Sequence, residues 1–280
     1  MGLGYSSQEY RTFLDAIKKG RTIDVEKHLM KHPEMLDLTN RYGRKPLHLA
    51  AENGHDSIIK LLLEYGSTSL DSPSNDGMTP LHYAASKGHD STVKLLLERC
   101  STSFNLSTNN GRSPLHFAVW NRHDSTVEVL LKHNSTALIS SDKDGWTPLH
   151  SAALGGYDST VELLLKYGNT SLDALNNDRE TPLHLAAMYG HGSTVKLLLQ
   201  CGSTSLNFPD KDGMTPLHLA AMNVRDSTMR ILKAVGAVTL SFDDLTPKRI
   251  EKLQAPIPEE DILEIRFRIY FTRSLASQLL

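Results

Sequence analysis

The tripeptide Pro-Leu-His recurs at Pro46, Pro80, Pro114, Pro148, Pro182 and Pro216, each time 34 residues further on. A period of that length, held through six copies, leaves few folds open. Each copy is one supersecondary unit, too small to bury its own apolar face, so copies must stack into a quasi-one-dimensional array. Other positions keep the same step. Gly54, Gly88, Gly156 and Gly190 share one register, and Asp56, Asp90, Asp124, Asp158 and Asp226 share the register two residues on. Apolar triplets at 61–63, 95–97, 163–165 and 197–199 follow.

One copy shows what the unit is. In Asn75-Asp76-Gly77-Met78-Thr79-Pro80-Leu81-His82, Asp-Gly marks a tight turn that needs a positive φ. Thr79 suits an N-cap and Pro80 the first helical position, where a missing N–H costs nothing. The pattern predicts a short helix from Pro80 to about Lys87, with Leu81, Ala84 and Ala85 inward, ended by Gly88 in the left-handed conformation. A second helix is expected from Asp90, with Val93, Leu96 and Leu97 as its apolar stripe. A turn and two antiparallel helices per copy make an all-α solenoid.

Composition fits and excludes. Lys and Arg number 30 against 32 Asp and Glu, a net charge of −2. No positive excess exists to release counterions from a polyanion, which argues against nucleic acid as the partner. The chain is 39% hydrophobic and 22% charged, and no apolar run approaches a bilayer span, so no integral membrane association is expected. The opening residues MGLGYSSQEYRTF lack the basic and apolar stretches of a secretory signal. With only Cys100 and Cys201 present, the expected location is cytoplasmic or nuclear. Gly2 fits the loose N-myristoylation pattern, which would anchor the chain only marginally.

The sequences TPLHYAA (79–85), TPLHSAA (147–153) and TPLHLAA (181–187 and 215–221) resemble the signature of the ankyrin repeat family; PLHLAA (46–51) and SPLHFAV (113–119) are close to it. The resemblance implies six repeats over about 38–241, an N-terminal capping repeat over 1–37, and a degenerate cap with a terminal helix over 242–280. In the first of these, Phe13, Ala16, Ile17, Gly20, Val25 and Leu29 stand where Leu47, Ala50, Ala51, Gly54, Ile59 and Leu63 stand in repeat one. The family's usual period is shorter by one residue, and the added residue is placed after the second helix. Cys100 and Asn134 replace a glycine that Gly66, Gly168 and Gly202 supply elsewhere, and Arg179 replaces a turn glycine. Reshaping is expected in repeats three and five.

The resemblance also implies a function: binding another protein or peptide, without catalysis, on the concave face formed by the turn tips and the outward side of the first helices. Carried over position by position, the residues expected to meet a partner are Tyr42, Arg44, Met78, Arg112, Trp120, Asp144, Trp146, Leu154, Asp178, Glu180, Met188, Tyr189, Met214 and Met222. Both tryptophans of the chain are among them, and sister repeats hold serine, glutamate or arginine at the same positions, so folding alone does not demand them. Arginines lie toward the amino end (Arg41, Arg44, Arg112) and carboxylates toward the other (Asp144, Asp178, Glu180, Asp212).

Two other readings stay open. The groove could hold a small molecule or an active site, with Trp120, Trp146 and Tyr189 as an aromatic pocket and Asp144, Asp178 and Glu180 as acid–base groups. Alternatively the chain is an adaptor that recruits another complex through its C-terminal segment. There Ile250 to Ile262, with Pro256-Ile257-Pro258, resembles the box that links some ankyrin proteins to ubiquitin ligases, without that box's cysteine-containing helix. No metal or cofactor is expected. Ten of the 13 histidines fall in repeat register, and equivalent residues of stacked helices lie about 8–10 Å apart, too far to share one ion. No sequence motif for nucleophilic catalysis or phosphate binding occurs.

Overall fold

A polar residue before each Pro-Leu-His opens a helix, and the histidine completes the opening. The computed structural model describes residues 6–67, 69–99, 106–168 and 171–237 of the 280. Gly2, Cys100 and the expected cap and terminal helix over 242–280, including the Ile250–Ile262 segment, lie outside the described residues. Helices α1 (Ser7–Lys18) and α2 (Thr22–Lys31) come first. Six pairs follow: α3 (Pro46–Glu52) with α4 (Asp56–Glu64), α5 (Pro80–Lys87) with α6 (Asp90–Arg99), and α7 (Pro114–Trp120) with α8 (Asp124–His133). The last three are α9 (Pro148–Gly155) with α10 (Asp158–Tyr167), α11 (Pro182–Tyr189) with α12 (Gly192–Gln200), and α13 (Pro216–Met222) with α14 (Asp226–Ala234).

From α3 onward, odd helices pack on odd and even on even, giving two layers of a solenoid. The core runs between them. Leu47, Leu81, Leu115, Leu149, Leu183 and Leu217 are all at most 1% exposed, and so are the alanines one turn later, such as Ala84 and Ala152. Small alanines allow the close approach of neighbouring first helices. In the first pair Phe13, Ala16, Ile17, Val25 and Leu29 are equally buried. Short 3-10 turns form in the segments after the second helices, at Ser69–Asp71, Ser135–Ile139 and Ser205–Asn207.

Four ladders of polar contacts tie one repeat to the next. The first uses the signature histidine. The Thr79 N–H and hydroxyl both donate to His82 Nδ1 (3.1 and 2.8 Å), so the ring proton sits on Nε2, which donates to the Arg112 carbonyl of the next turn at 3.0 Å. His48, His116, His150 and His184 reach Met78, Trp146, Glu180 and Met214 in the same way. A second ladder runs backward. Nε2 of His55, His89, His123 and His191 donates to the carbonyls of Lys18, Glu52, Ser86 and Leu154.

These rings fit only because the preceding repeat leaves space. A Cβ on Gly88 or Gly156 would stand 2.6 or 2.4 Å from the next imidazole, and both glycines are left-handed, with φ near 72° and 62°. At residue 122 the glycine is replaced by arginine, still at φ 60°. The next repeat then carries Tyr157 in place of histidine, and the Arg122 guanidinium lies over its ring at 4.9 Å from the centroid. Gly155 makes room for that ring, since a Cβ there would lie 2.3 Å from it. Val224 occupies the same left-handed register at φ 53°, the costliest choice because it is β-branched.

The third ladder joins second helices. Thr92 and Thr194 donate to Asp56 and Asp158 at 2.5 Å, and Thr126 and Thr160 donate to Asp90 and Asp124. Gly192 stands where the next aspartate belongs. Thr228 is therefore buried with no acceptor for its hydroxyl, and Ile231 fills the space beside Gly192. The fourth ladder is made by the turns: Asn75, Asn109, Lys143, Asn177 and Lys211 each donate a backbone N–H to the carbonyl of Tyr42, Asp76, Asn110, Asp144 or Asp178 one turn before.

The expected reshaping takes two forms. Arg179 adopts the left-handed geometry of a turn glycine (φ 60°), as Gly145 and Gly213 do at 79° and 77°. Asn134 instead becomes extended, at φ −151°, and its side chain accepts from Thr136 N–H to start a 3-10 turn. Gly168 is also extended, whereas Gly66 and Gly202 are left-handed.

Two expectations follow. Burial, opposed by the carbonyl bonds, holds His48, His82, His150 and His184 at about 4, and lowers His116 as well. The unfolded chain protonates these rings near 6.5, so between those values unfolding takes up protons and stability falls as pH falls. Each ring contributes about 1.4 kcal/mol per pH unit inside that window. Urea midpoints should drop steeply from pH 6.5 to 4; midpoints flat from pH 7 to 5 would contradict the ladder. Separately, Gly192→Asp should raise the unfolding free energy by roughly 1 kcal/mol by giving Thr228 an acceptor and removing a helical glycine. That gain should shrink in a Thr228→Val background.

Candidate partner-binding face

Each turn is shaped by one short polar side chain that accepts from the backbone four residues later. Asn40 Oδ1 accepts from Arg44 N–H, Ser74 Oγ from Met78, Thr108 Oγ1 from Arg112, Asp142 Oδ1 from Trp146, Asn176 Oδ1 from Glu180 and Asp210 Oδ1 from Met214, at 2.8–3.2 Å. The residues that donate these N–H groups are the variable positions expected to meet a partner. From Met78 onward their carbonyls in turn accept from the signature histidines, while the Arg44 carbonyl accepts from Asn40 N–H. Both sides of each variable peptide unit are thus fixed, and a side chain there is presented from rigid backbone.

The capping residues of these turns were not among the expected site residues. Their signal in the sequence is a serine, threonine, asparagine or aspartate always four before the variable position. Such side chains mimic a backbone turn, which is why only short acceptors occur there.

Not every expected residue faces outward. Arg44 is 6% exposed: its Nη1 donates to Glu52 Oε2 at 3.1 Å, and its guanidinium lies 4.5 Å from the Tyr83 ring centroid. Met214 is 5% exposed. These two are corrections, since both side chains are spent on packing inside the array. Arg112 is half-buried and its Nε donates to Asp142 Oδ2 of the next turn at 3.1 Å. Asp178 is exposed and pairs with Lys211 at 2.5 Å. Arg44, Arg112 and Asp178 are thus paired within the array.

Neutralised charges leave the apolar residues prominent. Tyr42 and Met78 are half-buried in the first two repeats, and Trp120, Trp146, Leu154, Met188, Tyr189 and Met222 are half-buried across the last four. Asp144 is exposed. The Trp146 ring rests on His150, with centroids 6.0 Å apart, and Tyr189 stacks on His191 at 6.4 Å with planes 13° apart. The arrangement brings Trp146 against the signature ladder and sets Tyr189 on the backward ladder; Trp120 ends α7 one repeat earlier.

Glu180 is the exception among these neighbours. Burial raises its carboxyl above the usual range, against the Asn176 Nδ2 that donates to Oε2 at 2.8 Å, and Asp178 and Asp210 push it further up. Burial likewise raises Tyr189, with Glu180 adding to the effect.

Elsewhere, a cavity of about 560 Å³ lies between α6 and α8, lined by Lys94, Leu97, Glu98, Glu128 and Lys132 among others. It belongs to the second-helix layer and includes none of the expected site residues. Among the described residues, no three His, Cys, Asp or Glu side chains stand close enough to hold a metal ion. No described helix is long and apolar enough to cross a membrane.

Comparison with known proteins agrees with the ladders. A family model for ankyrin repeats, built of three copies, matches three times, over residues 13–107, 100–174 and 168–241. No curated protein matches the chain. Those matches cover most of the 280 residues and coincide with the described helix pairs. The chain belongs to the ankyrin repeat family, whose arrays are generally protein–protein interaction modules.

Proposed function

We propose that this array binds another protein or peptide, without catalysing a reaction, on the concave face made by its turn tips and first helices. The observation that carries the reading is the run of large apolar side chains held half-exposed on fixed backbone: Trp120, Trp146, Leu154, Met188, Tyr189 and Met222. A side chain that only served folding would be found covered, as Met214 is. Tryptophan, tyrosine and methionine give large contact area, and for Trp146 a backbone fixed from both sides lowers the entropy lost on binding. Arg112, Asp144, Asp178, Tyr42 and Met78 form the polar and outer part of the same face.

The alternative of an active site has less support. Asp144 and Asp178 are exposed rather than enclosed, and Asp178 is engaged by Lys211. The three aromatic residues come from three successive repeats, which spreads them along a surface. Neither the adaptor reading nor a cytoplasmic or nuclear location draws on the described residues.

The test is affinity capture with the intact chain beside a Trp120→Ala, Trp146→Ala double variant. Proteins held by the parent should be lost by the variant, and Trp146→Ala alone should weaken binding at least about tenfold. The unfolding midpoint should move little, by no more than the roughly 1 kcal/mol of an aromatic contact such as that with His150. A variant that unfolds far more easily would make Trp146 a structural residue. Equal capture by parent and variant would move the working surface elsewhere.

A further inference from the structure

In repeat one the variable turn position pairs with the residue eight further on, Arg44 Nη1 donating to Glu52 Oε2 at 3.1 Å. Across the last four repeats that register reads Arg112 with Trp120, Trp146 with Leu154, Glu180 with Met188, and Met214 with Met222. In repeat one the carboxylate of the pair has an arginine. In repeat five the same register holds Glu180 and Met188, with Trp146 one repeat before Glu180 and Met214 one repeat after it. The chain of contacts is short: Trp146 rests on His150, and His150 Nε2 donates to the Glu180 carbonyl at 3.1 Å. In register, a half-buried carboxylate interrupts a run of apolar residues.

The lysine that favours its charge is already engaged. Asp178 and Asp210 act against the Glu180 charge, and Lys211 acts in its favour. Lys211 is taken, since its Nζ is held by Asp178 at 2.5 Å. Asn176 Nδ2 gives the carboxylate one neutral donor. A half-buried carboxylate beside further carboxylates is poorly compensated, and an external cation with flanking apolar groups supplies what is missing.

We infer that the partner presents a lysine or arginine between apolar side chains, and that Glu180 receives the cation while Trp146 with Leu154 and Met188 with Met222 receive the apolar neighbours. The inference rests on the binding reading above and deepens it. Arginine suits the place best: its planar guanidinium pairs with a carboxylate and stacks on an aromatic face in one pose. The apolar flanks commit the partner to a mixed segment rather than to a purely basic one, because a run of bare charges would leave the tryptophan and methionines uncovered.

The probe is a displayed library of random peptides selected on the full chain, in parallel on the parent, Glu180→Gln, Glu180→Lys and Trp146→Ala. Glu180→Gln keeps a side chain that accepts from Asn176, and unfolding curves verify that each variant is folded. Peptides selected on the parent should share a lysine or arginine flanked by apolar residues. Those selected on Glu180→Gln should keep the apolar residues and lose the base, and Glu180→Lys should select an acidic residue in its place. A peptide from the parent selection should bind Glu180→Gln about tenfold more weakly. Parent peptides without a shared base, or a base equally enriched on Glu180→Gln, would overturn the inference while leaving the binding face standing. Selection that fails on the parent, or yields the same peptides on Trp146→Ala, would remove the binding face and the inference with it.

Discussion

One imidazole per repeat holds the array together. It closes the start of its own helix through Nδ1 and reaches the next turn through Nε2. The same ring therefore couples local to long-range order. To do both it must be neutral, with its proton on the outer nitrogen, and burial in the core enforces that state. The outer histidines run the other way, from the start of each second helix to the previous repeat. Forward and backward bonds leave each repeat tied on both sides. Since every tie spans one junction only, the whole is stabilised by nearest neighbours.

Where a junction departs from the rule, the two sides depart together. Arg122 removes the space that Gly88 and Gly156 leave, and Tyr157 replaces the histidine that would have used it. Ile58 replaces the ladder threonine at the junction where Thr22 stands in place of an aspartate. Gly192 and Thr228 break the pattern of matched change: the donor persists after its acceptor has gone. Arg225, which follows Gly190, places its aliphatic stem where a ring would lie and donates Nε to the Met188 carbonyl at 3.3 Å.

Most of the fold was legible because its signals repeat. The start of α5 at Pro80, its end at Gly88 and the burial of Val93 and Leu96 each follow from rules that six copies reinforce. The site was less legible because it is defined by where copies differ. Register alone identified the position of Arg44, but its burial depends on Glu52 and Tyr83, which sit close only after two repeats stack. Met214 was hidden for a similar reason: its position carries no information on how much its neighbours cover it. Asp142 escaped notice because its work is on backbone, fixing Trp146 N–H while pairing with Arg112.

The ladders also have a fixed arithmetic. Signature histidines reach 30 residues ahead, turn amides 33 back, threonines 36 back and outer histidines 37 back. Where the register residues are kept, these links survive the gain or loss of a whole 34-residue unit, because the same pair meets on either side of the splice. Length is thus a quantity that this chain is built to change in steps, with each step adding one more strip of variable surface. The seam between residues 122 and 157 is different. A splice there would set an arginine against an imidazole, or a tyrosine against a bare glycine, so the third and fourth repeats travel together or not at all.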